Sequence, residues 1–161
     1  MELYIFQLAK GVGGASLLTR AHFRRLYKYQ YMLDHDTNGH CHRVGQLMRC
    51  FARQLGFPEQ DCLVAYILGY VHDCGKYHVP DAILRKGGPL NAAEFDVVKL
   101  HPLLGAEIVF STTGSRELAD VIAAHHERLD GSGYPYGFGE RQIMPLSRML
   151  SICDSFEAMT A

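Results

Sequence analysis

The stretch "CLVAYILGYVHDCGK", residues 62–76, joins a nearly unbroken apolar run to a cluster of ionisable side chains. The run from Leu63 to Val71 places apolar residues on most sides of a helix, which is typical of a helix buried at the centre of a domain. Acidic residues precede the run, where the positive end of a helix dipole favours negative charge. The sequence therefore predicts a central helix over residues 59–74, with the metal-ligating residue types His72 and Asp73 at its end.

The rest of the chain carries apolar residues at three- and four-residue steps, as amphipathic helices do. Pro102 is expected to end the helix that Asn91 and Glu94 begin as a capping pair. The segment 77–90 is rich in proline and glycine and predicts a connector with one short turn at 81–84. No region shows the alternation of strands, so the expected fold is all-α, a single compact helical domain. The predicted helices cover residues 20–33, 40–55, 59–74, 91–101, 102–110 and 115–126, with a last one from Pro145.

Composition narrows the class of protein. The 161 residues are 48% hydrophobic, which is enough for one domain with a true core. Lys and Arg number 16 against 17 Asp and Glu, so no basic field is present to hold a DNA or RNA polymer. The longest internal apolar run is far shorter than the roughly 20 residues of a membrane span, and the N-terminus lacks the basic leader of a secretory signal. Five cysteines without a C-x-x-C pair suit a reducing compartment, so we expect a soluble cytoplasmic protein.

Nine histidines are the unusual feature of the composition. A lone histidine is more often structural than a ligand, and we place His22, His35, His42 and His78 in that class. Imidazole and carboxylate without thiolate suit Fe, Mn or Zn in a hydrolytic site better than structural zinc. More than four candidate ligands exceed one tetrahedral centre and favour at least two metal ions. The candidates are Asp36, His40, His72, Asp73, His101, His125, His126 and Asp154.

Five separated motifs, in one order along the chain, closely resemble the HD-GYP domain of the HD phosphohydrolase superfamily. The resemblance covers about Asp36 to Ala161, and the long fourth motif has little chance of arising at random. The motifs are "HDCGK" at 72–76, "VPDAIL" at 79–84, "KLHPLLG" at 99–105, "HHERLDGSGYPYG" at 125–137 and "DSFEAMT" at 154–160.

The resemblance implies an all-helical HD-type domain that hydrolyses cyclic di-GMP to pGpG or GMP at a centre of two or three ions, most often Fe or Mn. Asp36 stands where many members carry glutamate, and its shorter stem leaves open whether a third ion is bound. The residues that match the family's ligand positions are His40, His72, Asp73, His101, His125, His126 and Asp154. Residues 1–33 are then a helical lead-in and 34–161 the HD-GYP domain. Family members continue past the last motif with a basic segment, so the domain is expected to be truncated at its C-terminus.

Roles for individual residues follow from two adjacent ions. Such ions lower the pKa of a bridging water and hold a phosphodiester oxygen. Asp73 and Asp154 would supply the charge that keeps the ions together, and Lys76 would donate to a phosphate oxygen, which makes Asp73 and Lys76 the catalytic pair. The substrate-binding candidates are Lys76, Gly133, Tyr134, Pro135 and Arg148, and Arg148 is equally well explained by a surface salt bridge.

The glycine-rich loop is expected to fold tightly beside the ligands, because Gly131, Gly133 and Gly137 adopt backbone angles that other residues resist. Glu127 and Asp130 are interpreted either as anchors of this loop or as plain surface carboxylates. Two alternatives to the cyclic di-GMP phosphodiesterase stay open. One is a catalytically weak module that binds the nucleotide, or a signalling partner such as a diguanylate cyclase, through this loop. The other is an enzyme acting on the mixed GMP-AMP ring.

Overall fold

The structure is a computed structural model that describes residues 18–33 and 35–161. Of the predicted lead-in, residues 1–17 lie outside the described residues, as do Asp34 and the side chain of His35. Within the described part no strand is present, and one isolated antiparallel bridge joins Asp130 to Gly139. The predicted all-α class is therefore confirmed.

The helices follow one another with short connections. A 3₁₀ helix, η1, separates the third and fourth α-helices. In chain order the elements are α1 Arg20–Tyr31, α2 His35–Gln54, α3 Glu59–Val71, η1 Cys74–His78, α4 Asp81–Leu84, α5 Ala92–Val98, α6 His101–Thr113, α7 Arg116–Ala123 and α8 Pro145–Thr160.

Helix α3 lies at the centre of the fold, as its apolar run predicts. It packs against α1, α2, α7 and α8. Leu68 and Val71 of α3 are buried with Val44 of α2, Ile122 of α7 and Leu150 of α8. Because removal of apolar area from water drives this packing, the end of α3 is held in the interior together with the residues that follow it.

Two predicted helix ends near the motifs differ from the structure. Helix α3 ends at Val71 instead of residue 74, and the chain tightens into η1 directly after Asp73. His101 begins α6 instead of ending α5, because Pro102 occupies the first turn of α6, where a missing N–H costs nothing. In both places the metal-ligating residue types stand at a helix end.

Two further boundaries also shift. Helix α2 starts at His35, well before the apolar stripe that predicted it. Helix α7 is shorter than expected, because Ser115 lies outside it as the N-cap, with its hydroxyl accepting from the N–H of Leu118 at 3.3 Å. The chain leaves α7 after Ala123, so His125 lies beyond the helix.

The lead-in helix α1 packs on the rest of the domain. Leu26 is buried in the common core, and Tyr29 meets Tyr77 of η1 edge to face, with ring centroids 5.6 Å apart. The division of the chain at residues 33 and 34 and the truncation at Ala161 stay predictions. Among the residues that the structure describes, no helix is long and apolar enough to cross a membrane.

Candidate metal centre

Three buried imidazoles at the candidate centre are held in the same way. Each presents its Nδ1 to a carbonyl oxygen three residues earlier, in the last turn of the preceding helix, where carbonyls have no helical N–H partner. Because a carbonyl only accepts, each Nδ1 carries the hydrogen, so Nε2 is the nitrogen that faces the site. The pairs are His72 with Gly69 at 2.7 Å, His101 with Val98 at 2.7 Å and His125 with Ile122 at 2.6 Å.

Asp73 lies at the middle of the cluster. Its Oδ1 is 3.2 Å from Nε2 of His101, and its Oδ2 is 3.4 Å from Nε2 of His72 and 2.7 Å from Nζ of Lys76. Burial opposes ionisation, but Lys76 and the neighbouring imidazoles hold the pKa of Asp73 well below its usual range. The carboxylate is therefore charged and faces ligands from two directions.

Helix α8 brings a second carboxylate to the same place. Oδ1 of Asp154 is 3.0 Å from Nε2 of His40 and 3.5 Å from Nε2 of His72. Burial opposes ionisation here too, yet the hydrogen bonds with His40 and His72 hold the pKa of Asp154 far below its usual range. Asp154 raises the pKa of His40 in turn. A negative pair, Asp73 and Asp154, thus lines the interior.

The ligand atoms fall into two groups, each within 4.8 Å. One group contains His40, His72 and Asp73, and the other contains His101, His125 and His126. Asp73 joins the two groups through its contact with His101, and Asp154 adds to the first. Seven of the eight candidate ligands therefore converge, although their assignment as ligands stays a prediction.

The chemistry of the second group fits a cation. Nε2 of His101 and Nε2 of His125 lie 3.4 Å apart, and both rings already use the Nδ1 hydrogen on a carbonyl. Burial lowers the pKa of His125 well below its usual range, and burial together with the nearby His101 lowers the pKa of His126 to about 4. Two imidazole nitrogens that face each other in this way can both bind one divalent ion.

Asp36 is the candidate ligand that neither group of ligand atoms contains. It occupies the first turn of α2, is exposed, and belongs to neither group of ligand atoms. Its role as a ligand stays a prediction. His42 and His78 are exposed and also lie outside both groups, whereas His22 takes part in the N-terminal cap of α1.

The glycine-rich loop is held by the buried carboxylate of Glu127. Its Oε1 accepts from the N–H of Tyr136 at 2.6 Å and its Oε2 from the N–H of Phe138 at 2.9 Å. Gly133 is required for a different reason than expected, since a Cβ there would stand 2.4 Å from the backbone N of Arg128. Of the two readings of Glu127, the structure shows the loop anchor. Asp130 is exposed and bonds only within the loop, to Ser132.

Tyr134 brings the loop onto the candidate ligand His126. Its ring stacks on His126 with centroids 4.8 Å apart and planes inclined by 29°, and its N–H donates to the carbonyl of His126 at 3.2 Å. Phe95 meets Tyr134 edge to face, with ring centroids 6.2 Å apart. Burial raises the pKa of Tyr134 to about 12, so the hydroxyl stays protonated. Gly133 and Pro135 are the neighbours of Tyr134 in the sequence.

Arg148 is engaged with the backbone beyond the loop. Its Nε donates to the carbonyl of Ile143 at 3.1 Å, and Nη2 donates to the carbonyl of Glu140. It also lies 4.0 Å from the Glu140 carboxylate. A contact between Arg148 and substrate stays a prediction.

Glu157 and Arg43 lie beside the centre and were not among the residues predicted from the sequence. Glu157 is buried and contacts Nδ1 of His40 with one oxygen and Nε of Arg43 with the other. The spacing of Asp154 and Glu157 could have indicated that Glu157 faces the centre, because residues three apart share one face of a helix.

The HD domain family profile matches residues 28–161 of the chain. The chain belongs to the HD domain family. Members of this family bind divalent metal ions, and the two groups of His and Asp side chains in this HD domain are arranged to hold them. The resemblance noted in the motifs is thereby confirmed.

Curated relatives of this HD domain act on cyclic dinucleotides, according to their names. It is 39% identical over 147 residues to a cyclic di-GMP phosphodiesterase of Pseudomonas aeruginosa, covering 91% of this chain and 34% of the relative. It is 38% identical over 131 residues to a cyclic di-GMP phosphodiesterase of Thermotoga maritima, covering 80% and 35%. A 3'3'-cGAMP-specific phosphodiesterase of Vibrio cholerae is 36% identical, with 78% and 27% covered. The chain thus spans about a third of the length of these relatives.

A solved structure supports the fold. An HDG"Y"P protein of Bdellovibrio bacteriovorus superposes with a TM-score of 0.64 at 22% identity, covering 76% of this chain and 40% of that one. At this identity the likeness shows the helical architecture of the HD domain and nothing finer.

Proposed function

We propose that this HD domain is a metal-dependent phosphodiesterase that opens cyclic di-GMP to pGpG, GMP or both. The observation that carries the proposal is the placement of Asp73, whose carboxylate contacts imidazoles of both ligand groups and the ammonium of Lys76. The names of the Pseudomonas and Thermotoga relatives support the reaction and the substrate class.

Two sets of ligands are proposed. His40, His72, Asp73 and Asp154 would hold one ion, and a second set shares Asp73 with His101, His125 and His126. Imidazole and carboxylate ligands favour Fe or Mn over a structural zinc. When bound, such ions lower the pKa of water and neutralise charge that builds on phosphorus. A third ion would need Asp36, which is exposed at the start of α2.

Lys76 is proposed to stabilise the reacting phosphate. Burial opposes its charge, but Asp73 raises the pKa of Lys76, so the ammonium persists at neutral pH. The side chain is 25% exposed, and Asp73 orients its Nζ at 2.7 Å. A donor fixed in this way supports charge on a non-bridging or leaving oxygen in the transition state.

The loop 131–137 is proposed to form the wall of the entrance for a nucleotide. Tyr134 supplies an aromatic face beside His126, and Gly133 lets the chain pass close to Arg128. Pro135 and Arg148 complete the proposed contacts. Binding of a diguanylate cyclase through this loop, and a cytoplasmic location, are further predictions of the same proposal.

The deciding experiment measures turnover and metal content together. The chain, loaded with Mn²⁺ or Fe²⁺ and shown by elemental analysis to hold two ions, is incubated with cyclic di-GMP, and the products are separated by chromatography. We expect pGpG or GMP to accumulate. A chain that holds two ions and forms neither product would support the alternative of a binding module.

The mixed GMP-AMP ring is a second candidate substrate, favoured by the Vibrio relative named as specific for 3'3'-cGAMP. Selection of guanine over adenine depends on the shape of the pocket. The test therefore offers the enzyme equal amounts of cyclic di-GMP and the mixed ring in one reaction. The ring consumed first identifies the preferred substrate.

A further inference from the structure

His40 differs from the other imidazoles of the centre in how its Nδ1 is held. His72, His101 and His125 use a free carbonyl at a helix end. His40 lies inside α2, where the surrounding carbonyls accept helical N–H donors and offer no comparable partner. Its Nδ1 instead contacts Oε2 of Glu157, which comes from α8, 117 residues along the chain.

Two side chains of helix α8 thus contact the two ring nitrogens of His40. Asp154 contacts Nε2 of His40 at 3.0 Å, and Glu157, three residues later, contacts Nδ1. The second oxygen of Glu157 contacts Nε of Arg43, which is three residues after His40 in α2. A pair spaced by three on one helix therefore faces a pair spaced by three on the other.

The burial of Glu157 and its two contacts limit what its carboxylate can do. The Glu157 side chain is 5% exposed, whereas that of Arg43 is 54% exposed. Both oxygens of Glu157 are engaged, one by the imidazole and one by the guanidinium. With its charge compensated by Arg43 and one oxygen on the imidazole, Glu157 is placed to hold the His40 ring.

We propose that Glu157 is a positioning residue for His40, with Arg43 as its anchor. The carboxylate fixes the ring so that Nε2 points toward Asp154 and makes the imidazole a stronger ligand. The inference rests on the proposed metal site. It gives the Nδ1 of His40 a carboxylate partner, where His72, His101 and His125 have a backbone carbonyl. Loss of such a partner typically costs about 10–100-fold in metal affinity.

The test compares metal affinity across matched variants of the whole chain, with no nucleotide present. Mn²⁺ is titrated against a fluorescent chelator, and Co²⁺ binding is followed by its visible absorption spectrum. Glu59→Ala is the control, because Glu59 also bridges two arginines, Arg49 and Arg53, but on the exposed surface. Melting temperatures are recorded for every variant.

Glu157→Ala is expected to weaken one of the Mn²⁺ sites by about 10–100-fold and to change the Co²⁺ spectrum, while Glu59→Ala does neither. Glu157→Gln keeps an oxygen acceptor for the Nδ1 hydrogen and should lose less affinity than Glu157→Ala. If Glu157→Ala does not fold, Glu157→Asp replaces it, since the shorter stem withdraws the carboxylate from His40 and should weaken binding by about tenfold.

A purely structural role predicts a lower melting temperature with unchanged affinity and spectrum, and that result would overturn the inference. Equal losses in Glu59→Ala and Glu157→Ala would overturn it as well. The outcome is separable from the proposed function. If the chain hydrolyses the nucleotide but its Mn²⁺ affinity does not change in Glu157→Ala, only the positioning role is ruled out. If the affinity falls in Glu157→Ala but the unaltered chain shows no turnover, only the proposed reaction is ruled out.

Discussion

Gly75 lies against the backbone of His101, so closely that a Cβ at Gly75 would stand 2.0 Å from the His101 carbonyl oxygen and 2.5 Å from the backbone N of Gly105. The glycine stands two residues after Asp73, and His101 contacts that aspartate at 3.2 Å. The absence of a side chain at Gly75 therefore allows the close approach of two elements that carry candidate ligands.

Gly75→Ala should separate η1 from α6. The obstructing atoms are backbone, which cannot turn aside as a flexible side chain would, so we expect a loss of about 1–3 kcal/mol or more in the free energy of unfolding. Metal content should fall too, because His101 moves away from Asp73. Thermal melts and elemental analysis check both. Gly87→Ala is the control, since nothing lies within 4 Å of a Cβ there, and a melt as stable as that control would contradict the prediction.

Asp73→Ala should strip metal and activity together. The change removes the carboxylate that contacts His72, His101 and Lys76, and with it the charge that offsets repulsion between two cations. Elemental analysis after purification and a turnover assay provide the measurement. His22→Ala should retain both properties. Full metal content in Asp73→Ala would show that the proposed ligands are wrong.

Lys76→Ala should separate catalysis from metal binding. Removal of a donor to a transition-state oxygen typically costs about 10²–10³-fold in turnover, whereas the imidazole ligands stay in place. Lys86→Ala, which loses the surface ion pair with Glu94, should turn over as the unaltered chain does. Turnover by Lys76→Ala within about twofold of that control would remove Lys76 from the catalytic pair.

Glu127→Ala should loosen the loop. Two backbone donors, the N–H groups of Tyr136 and Phe138, lose a charged acceptor, and such bonds contribute about 1.5–3 kcal/mol each. Hydrogen exchange over residues 131–139 should rise, along with a lower melting temperature. Asp130→Ala, which loses only contacts to Ser132, should change the melt far less. Unaltered exchange in Glu127→Ala would mean that other contacts hold the loop.

The His126 ring should stay neutral in mild acid. Burial lowers the pKa of His126 from 6.5 to about 4, so in the metal-free folded chain the ring takes up a proton only near pH 4. In the unfolded chain it is protonated below about 6.5, so this group lowers the stability of the fold as the pH falls through that range. Histidine NMR resonances followed from pH 8 to 4 provide the measurement. A midpoint near 6.5 for His126 would contradict its burial.

Local patterns predicted the fold and most of the site. The apolar run before His72 identified the central helix. The motifs, and the family resemblance they carry, predicted the convergence of His40, His72, Asp73, His101, His125, His126 and Asp154. Helix ends were less predictable, because Pro102 permits two readings: it disfavours helix in the residue before it, and it also favours the first turn of a new helix. The structure follows the second.

Contacts between distant segments account for what the sequence left out. Glu157 and His40 are 117 residues apart, and no local pattern shows that α2 and α8 meet there. Gly75 was visible inside "HDCGK", but its purpose depends on the approach of α6, which only the folded chain reveals. The spacing of Asp36 from His40 suggested a shared site, and because Asp36 is exposed at the start of α2 its role as a ligand stays a prediction.

Three imidazoles take their orientation from carbonyls at the ends of α3, α5 and α7. The direction in which each ring points therefore depends on the number of residues in its helix. Deletion of one helical residue rotates the residues that follow by about 100° around the helix axis. Homologous chains should tolerate insertions in the connector 85–91 and resist them ahead of His72, His101 and His125. Helix length is thus a constraint on function here, even where no ligating residue is altered.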